Sequence, residues 1–390
     1  MIQSINLARS GLKARQAQRL MHASHMLNTA VARSASTGKD GARERQMTTS
    51  QTGDYVAREV RPGVIDLSVG QPSPSSLPLN AMAAAAAHRL GSPDAELLLQ
   101  YGPRQGYRSF RSSLAAFLSQ RYGSSVDPDH LMVTAGVSHG LDLAVGALSR
   151  PGDMIVVECP TYFLVTPIFR DNNRLTVVPM PTDTNGLVVE ELERWLAADP
   201  SHRPRLLYTI PIHNNPRATT LPPERRRLLL RLAHRYGFQV LADEVYQLLS
   251  FPPEEDEAHT RSGPSFASSS SSCSASSSSS SSLPLPLRCY EECDPRVSRV
   301  ISFGSFSKIL APALRLGWLE TPHPGLMERF RSDGVVGSGG CIAQLAAGLA
   351  HSALELGLQS SHLDTVVRPT LASRCRTLVA ALRREVLGGG

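Results

Sequence analysis

Three observations predict an α/β fold with a mainly parallel sheet, helices on both faces and the start of a smaller second domain. Short apolar runs at 131–134, 154–158, 205–210, 238–242 and 300–303 alternate with stretches of helical periodicity, as in a parallel sheet covered on both sides. Residues with chemistry to offer, Gly136, Tyr162, Asn215, Asp243, Ser305 and Lys308, each follow the end of such a run, and open α/β sheets bind ligands along that edge. The 390 residues, 41% of them hydrophobic, exceed the roughly 250 to 300 at which a single core stops growing, so more than one lobe is expected.

Residues 1–38 contain no acid but carry Arg9, Lys13, Arg15, Arg19 and Arg33 among small and apolar residues. That is the composition of an organelle transit peptide, mitochondrial or plastid; a basic disordered tail is the alternative, and 1–50 are assigned to leader and tail. An N-terminal segment, 51–95, follows. In it Asp66-Leu-Ser-Val-Gly70-Gln-Pro72 is a strand-like run stopped by glycine and proline, where backbone can approach a ligand or simply turn. Residues 83–90 are an alanine-rich helical stretch, and Tyr101-Gly-Pro-Arg-Gln-Gly106 is a loop before a helix through Phe110, Leu114, Phe117 and Leu118.

The large domain is placed at 96–335. The run 131–134, the turn Ala135-Gly136-Val137-Ser138 and apolar Leu141, Ala144, Val145 and Leu148 set a helix N-terminus at a strand's end. Its free backbone N–H groups suit a phosphate. After 154–158 comes Cys159-Pro160-Thr161-Tyr162, whose aromatic can lie on a planar ring or pack in the core. Asn215 precedes Pro216 and is biased towards an extended conformation that aims its amide. Residues 222–236 are helical. The run 238–242 delivers Asp243-Glu-Val-Tyr246, and an acid at the end of an apolar strand is costly to bury without a positive partner. Acidic and then almost pure serine sequence at 254–288 predicts a disordered surface insert.

The stretch Ser305-Phe-Ser307-Lys308-Ile-Leu-Ala-Pro-Ala-Leu-Arg315 sets a lysine after two hydroxyls, with an arginine seven residues on. Desolvation favours a lysine's neutral amine, the form that makes a Schiff base with an aldehyde. The run continues as 314–318. Residues 336–390 carry a helix from Ile342 towards Leu356 and another over 362–384 interrupted at Pro369; they are the start of the smaller domain.

From about Asp66 to the end the chain resembles the class I/II pyridoxal-phosphate-dependent aminotransferases, on Ser305-x-Ser307-Lys308 with Arg315-Leu-Gly-Trp, Asp243-x-x-Tyr246, Asn215-Pro216 and Pro160-Thr-Tyr162. The resemblance implies the type I pyridoxal-phosphate enzyme fold and pyridoxal 5'-phosphate bound to Lys308. It implies that Asp243 meets the ring nitrogen, Asn215 and Tyr246 the ring oxygen, and Tyr162 the ring face. Ser305, Ser307, Arg315, Val137 and Ser138 would hold the phosphate, with Tyr101 reaching the phosphate of a neighbouring subunit in a homodimer. Gly70 would lie by the substrate carboxylate. Two departures stand out: Val137-Ser138 replaces the usual Ser-Gln or Ala-Ser, and Arg217-Ala218 replaces Thr-Gly or Ser-Gly.

The implied activity moves an amino group between an amino acid and a 2-oxo acid, with Lys308 as proton carrier and Asp243 and Tyr246 as its catalytic neighbours. A carbon–sulfur lyase, or a cofactor-binding remnant without turnover, fits the same residues. No arginine after Arg331 matches the family's carboxylate-binding segment, so the chain is expected to be cut short. The net charge of +6 comes from scattered arginines, which argues against a nucleic-acid surface. No apolar run reaches the length of a membrane span. The six cysteines form no disulfide framework, and Cys289-x-x-x-Cys293 has no second pair or nearby histidine, so no metal is expected.

Overall fold

Among the described residues the eight strands are β1 (Leu131–Thr134), β2 (Met154–Cys159), β3 (Thr176–Asp183), β4 (Gly186–Leu187), β5 (Leu206–Thr209), β6 (Gln239–Asp243), β7 (Val300–Ser305) and β8 (Gly317–Glu320). They form one sheet in the order β1-β8-β7-β6-β5-β2-β3-β4. The computed structural model describes residues 70–251, 284–340 and 342–387. The expected leader and tail at 1–50 lie outside the described residues, as do 51–69 and most of the serine-rich insert. Its last five residues, 284–288, are described and correct the expected boundary: Leu287 is buried and its amide donates to the Glu244 carboxylate at 2.6 Å.

Strands β3, β2, β5, β6 and β7 are parallel. β8 runs antiparallel to both β7 and β1, so β1 points the same way as β7. The C-terminal ends of β1, β2, β5, β6 and β7 therefore share one edge. Of the expected strands, 314–318 needs correction. Pro312–Leu314 is a short 3-10 turn, Arg315 has φ of 44°, and that left-handed residue delays β8 to Gly317.

Strand alternation sends successive side chains to opposite faces. Ile155, Val157, Tyr208, Leu241, Ile301 and Phe303 join one buried cluster; Val156, Leu207, Val240, Ala242 and Val300 join another. Helices cover both faces, as expected. They are α1 (Leu79–Leu90), α2 (Arg108–Tyr122), α3 (Gly136–Leu148), α4 (Val189–Ala198), α5 (Pro223–Tyr236), α6 (Pro324–Arg331), α7 (Gly334–Gly339), α8 (Gln344–Glu355), α9 (Leu358–His362) and α10 (Arg368–Leu382). α3 and α6 pack on the first cluster, α4 and α5 on the second. A third cluster joins α2 and α8 to β1 and β8.

Pro369 marks a break in the last helical stretch, as expected. It occupies the first turn of α10, where its missing N–H costs nothing. The turn Leu363–Val367 before it is wound as a π-helix, which absorbs the break in the hydrogen-bond ladder.

Candidate active site

Asp243 ends β6 and is 4% exposed. Its Oδ2 accepts the Tyr208 hydroxyl at 2.9 Å, and its Oδ1 is buried without a hydrogen-bond partner among the described residues. Burial pushes its carboxyl up to about 6, against the Tyr208 hydroxyl, the nearby Val245 amide and the charge of Lys308. A buried acceptor left open costs about 1 to 3 kcal/mol, so this oxygen is set to receive a donor from outside the protein. The next residue, Glu244, is structural. It is buried, carries the Leu287 amide, and is pushed up to about 7 by burial.

Lys308 follows β7 in the turn that sequence reasoning assigned to it. Burial lowers its pKa, the Arg315 charge pushes the same way, and Asp243 opposes both. Ser305 is the anchor of the turn. Its Oγ lies 2.9 Å from Ser307 Oγ and 3.2 Å from the Leu316 carbonyl oxygen, and it accepts the Ser307 amide at 3.0 Å. Ser307, only half-buried, is the hydroxyl placed to serve a ligand.

Arg315 comes to the start of α3. A Cβ added at Gly136 would lie 3.1 Å from its Nη2, and Gly136 has φ of 77°, a conformation suited to glycine. Gly317 lets β8 approach the same turn, since its own Cβ would lie 2.9 Å from the Gly136 Cα. The N-terminus of α3 has no side-chain cap, so the first-turn amides of Gly136, Val137 and Ser138 have no partner within the helix. They and the Arg315 fork form a cationic cradle of the kind that takes a phosphate.

Asn215 donates to the Tyr246 hydroxyl at 3.4 Å. Burial and the nearby Asp243 raise the Tyr246 pKa, and Asn215 opposes them, so the phenol keeps its proton. The departure at 217–218 is accommodated, because Ala218 adopts the left-handed conformation a glycine would, with φ of 56°. Tyr162 and Val137 pack against the same cluster as Tyr246. Tyr101 is 88% exposed, and Gly70, the first described residue, is exposed.

Two residues of this edge escaped sequence reasoning. Tyr208 lies inside the apolar run of β5, where its phenol reads as core. Glu158, 2% exposed, accepts Thr209 Oγ1 at 2.8 Å, the Ile210 amide at 3.1 Å and Asn214 Nδ2 at 2.7 Å. The signal for both is a polar atom in a run too apolar to leave it unpaired.

The cysteine pair also looks different in three dimensions. His234, from α5, reaches Glu291 and Cys293, with ligand atoms all within 4.8 Å. A histidine distant in sequence is thus close in space, contrary to expectation. The Glu291 oxygens are already engaged by His234 at 2.9 Å, Ser298 Oγ at 2.5 Å and the Arg299 amide at 2.6 Å. Burial pushes the Cys293 thiol up to about 11.

Residues 62–387 match the family model for aminotransferase class I and II. Aromatic-amino-acid aminotransferase 1 of Thermococcus litoralis is 31% identical over 263 residues, 67% of this chain and 55% of the relative. The 2-aminoadipate transaminase of Thermus thermophilus is 28% identical over 327 residues, 84% of this chain and 71% of the relative. Among solved structures, the kynurenine aminotransferase of Pyrococcus horikoshii, in complex with PMP, superposes with a TM-score of 0.68 at 27% identity, covering 82% of this chain and 70% of that one. The chain spans 55% of the length of the Thermococcus relative.

The residues present fit pyridoxal phosphate. The open Oδ1 of Asp243 matches a ring N–H, the Asn215–Tyr246 pair a ring oxygen, and the Gly136–Arg315 cradle a phosphate. On its sequence match and on this arrangement, the chain belongs to the class I and II aminotransferase family, whose cofactor is pyridoxal 5'-phosphate.

Proposed function

We propose that this chain moves an amino group between an α-amino acid and a 2-oxo acid. The observation that carries the proposal is the buried Asp243, with one oxygen fixed by Tyr208 and the other open, beside a lysine whose proton is loosened by burial. Pyridoxal phosphate, when bound, supplies an aldehyde for an amine and a ring that accepts electrons. Asp243 Oδ1 accepts the ring N–H, and Tyr208 positions that carboxylate through Oδ2. Asn215 and Tyr246 present hydrogen-bond donors to the ring oxygen. Ser307, Arg315 and the amides at Gly136, Val137 and Ser138 hold the phosphate, while Ser305 shapes the turn. Tyr162 covers the ring. Lys308 Nζ would bind the aldehyde and, once freed by the substrate amine, would carry the proton removed from the substrate α-carbon.

The relatives' names, aromatic-amino-acid aminotransferase and 2-aminoadipate transaminase, favour amino transfer over β- or γ-elimination, and they support α-amino acid donors with extended side chains. Leu97, Leu99 and Tyr101, exposed at 51%, 73% and 88% in one stretch, support a homodimer in which Tyr101 reaches the partner's phosphate site. No helix among the described residues is long and apolar enough to cross a membrane. The acid-free basic stretch 1–38 supports delivery to a mitochondrion or plastid.

The test is a half-reaction. The cofactor-loaded protein is mixed with a panel of α-amino acids, and conversion of the bound cofactor to its amine form is followed by absorbance. Amino transfer gives one oxo acid per site and is reversed by adding a 2-oxo acid. Continuous release of ammonia without an acceptor would establish elimination, and cofactor binding without conversion would establish a remnant.

A further inference from the structure

We infer that Glu158 is a positioning residue: from the face of the sheet opposite Asp243, its carboxylate holds the turn that presents Asn215 to the ring oxygen. The inference rests on the function proposed above and adds a residue to which that proposal gives no role.

Alternation along β2 and β6 puts Glu158 with Val156 and Asp243 with Leu241, on opposite faces. β5 serves both acids. Tyr208 donates to Asp243 on one face, and the next residue, Thr209, donates to Glu158 on the other. Glu158 also receives the Ile210 amide and Asn214 Nδ2, so three donors converge on two oxygens. Burial raises the Glu158 carboxyl to about 7, and these three bonds oppose the rise; the two oxygens act as the buried acceptor that all three donors need.

Asn214 transmits the grip. It is 3% exposed. Its amide holds Glu158, its Oδ1 accepts the Arg217 amide at 3.2 Å, and its own backbone amide donates to Thr219 O at 2.8 Å. Asn215, the next residue, is thereby fixed within reach of Tyr246. Without Glu158, Asn214 Nδ2 and the Ile210 amide lose their buried acceptor. The turn must then shift to find others.

The experiment measures, on cofactor-loaded protein, the pH midpoint of the cofactor's absorbance change and the cofactor dissociation constant. A ring-oxygen contact moves the midpoint, whereas simple loosening of the fold moves only the melting temperature. Glu158→Leu should weaken cofactor binding about tenfold, the cost of one or two buried bonds. It should also displace the midpoint in the same direction as Asn215→Ala. The double variant Glu158→Leu with Asn215→Ala should show no further displacement, because the two act through one contact. Glu158→Gln should stay close to wild type, since the Thr209 hydroxyl can turn to accept an amide while the remaining oxygen keeps the other two donors. Should Glu158→Leu fail to fold, Asn214→Ala replaces it in the same cycle. Additive displacements, or a lower melting temperature with an unmoved midpoint, would overturn the role of Glu158 alone. A wild-type chain that binds no cofactor would reject the proposed function and this role with it.

Discussion

The turn that carries Lys308 and the turn that carries Asn215 sit on the same edge of the sheet but are built in opposite ways. The first is closed mainly by its own sequence, through Ser305, Ser307 and the Leu316 carbonyl, with one remote bond from Gln359 to the Ile309 carbonyl at 2.9 Å. The second is held from elsewhere. Glu158 on β2 grips Ile210 and Asn214. Arg226 on α5, 1% exposed, donates to the carbonyls of Leu221, Leu285 and Pro211 at 2.7, 2.6 and 3.3 Å. A locally closed turn is a motif, whereas a remotely held one depends on the whole fold.

The largest expected effect lies in the local turn. Lys308→Ala should abolish cofactor label fixed by borohydride, a complete loss measured by mass spectrometry of the digested protein. Label appearing at another lysine would move the chemistry out of this turn.

Stability should separate the two turns. Arg226→Ala removes three hydrogen bonds from a buried guanidinium, although the Pro211 oxygen keeps the Leu221 amide at 2.8 Å and Leu285 is exposed, and should cost about 3 kcal/mol in denaturant unfolding. Ser305→Ala removes hydroxyl bonds within one turn and should cost about 1 kcal/mol. Equal costs would erase the distinction between remote and local support.

Asp243, between the turns, should be visible in the pH dependence of the cofactor-free protein. Its carboxyl rises from 3.8 to about 6 on folding, so the folded state holds the proton more tightly. That contribution is complete below pH 3.8 and is lost as pH rises through 6, amounting to roughly 3 kcal/mol. Glu158 and Glu244, each raised from 4.5 to about 7, act in the same direction. Asp243→Asn should flatten the Asp243 share between pH 4 and 6, measured as a smaller fall in melting temperature than wild type shows.

The same contrast explains what the sequence made legible. Lys308, Asp243, Gly136 and Asn215 follow strand ends and could be placed from periodicity alone. β3 and β4 were not anticipated, because Pro179 and Pro181 break the apolar pattern of Thr176–Asp183. Prolines are tolerated towards a sheet edge, and beyond β3 lies only the two-residue β4. Tyr208, Glu158 and Arg226 were invisible for another reason. Each acts on residues distant in sequence or on another face, and no local spacing marks such a partner.

The smallest effect probes the departure at Ala218. Its φ of 56° is left-handed, which costs a residue with a side chain about 1 to 2 kcal/mol. Glycine removes that cost but gives back about 0.5 to 1 kcal/mol in chain entropy. Ala218→Gly should therefore stabilise the protein by up to about 1 kcal/mol, a rise of a few degrees at most in melting temperature. The cofactor's pH midpoint should stay where it is, because Glu158 and Arg226 continue to fix the turn. A midpoint displaced by this substitution would mean that the turn's own backbone sets the position of Asn215, and that it is as locally determined as the turn around Lys308.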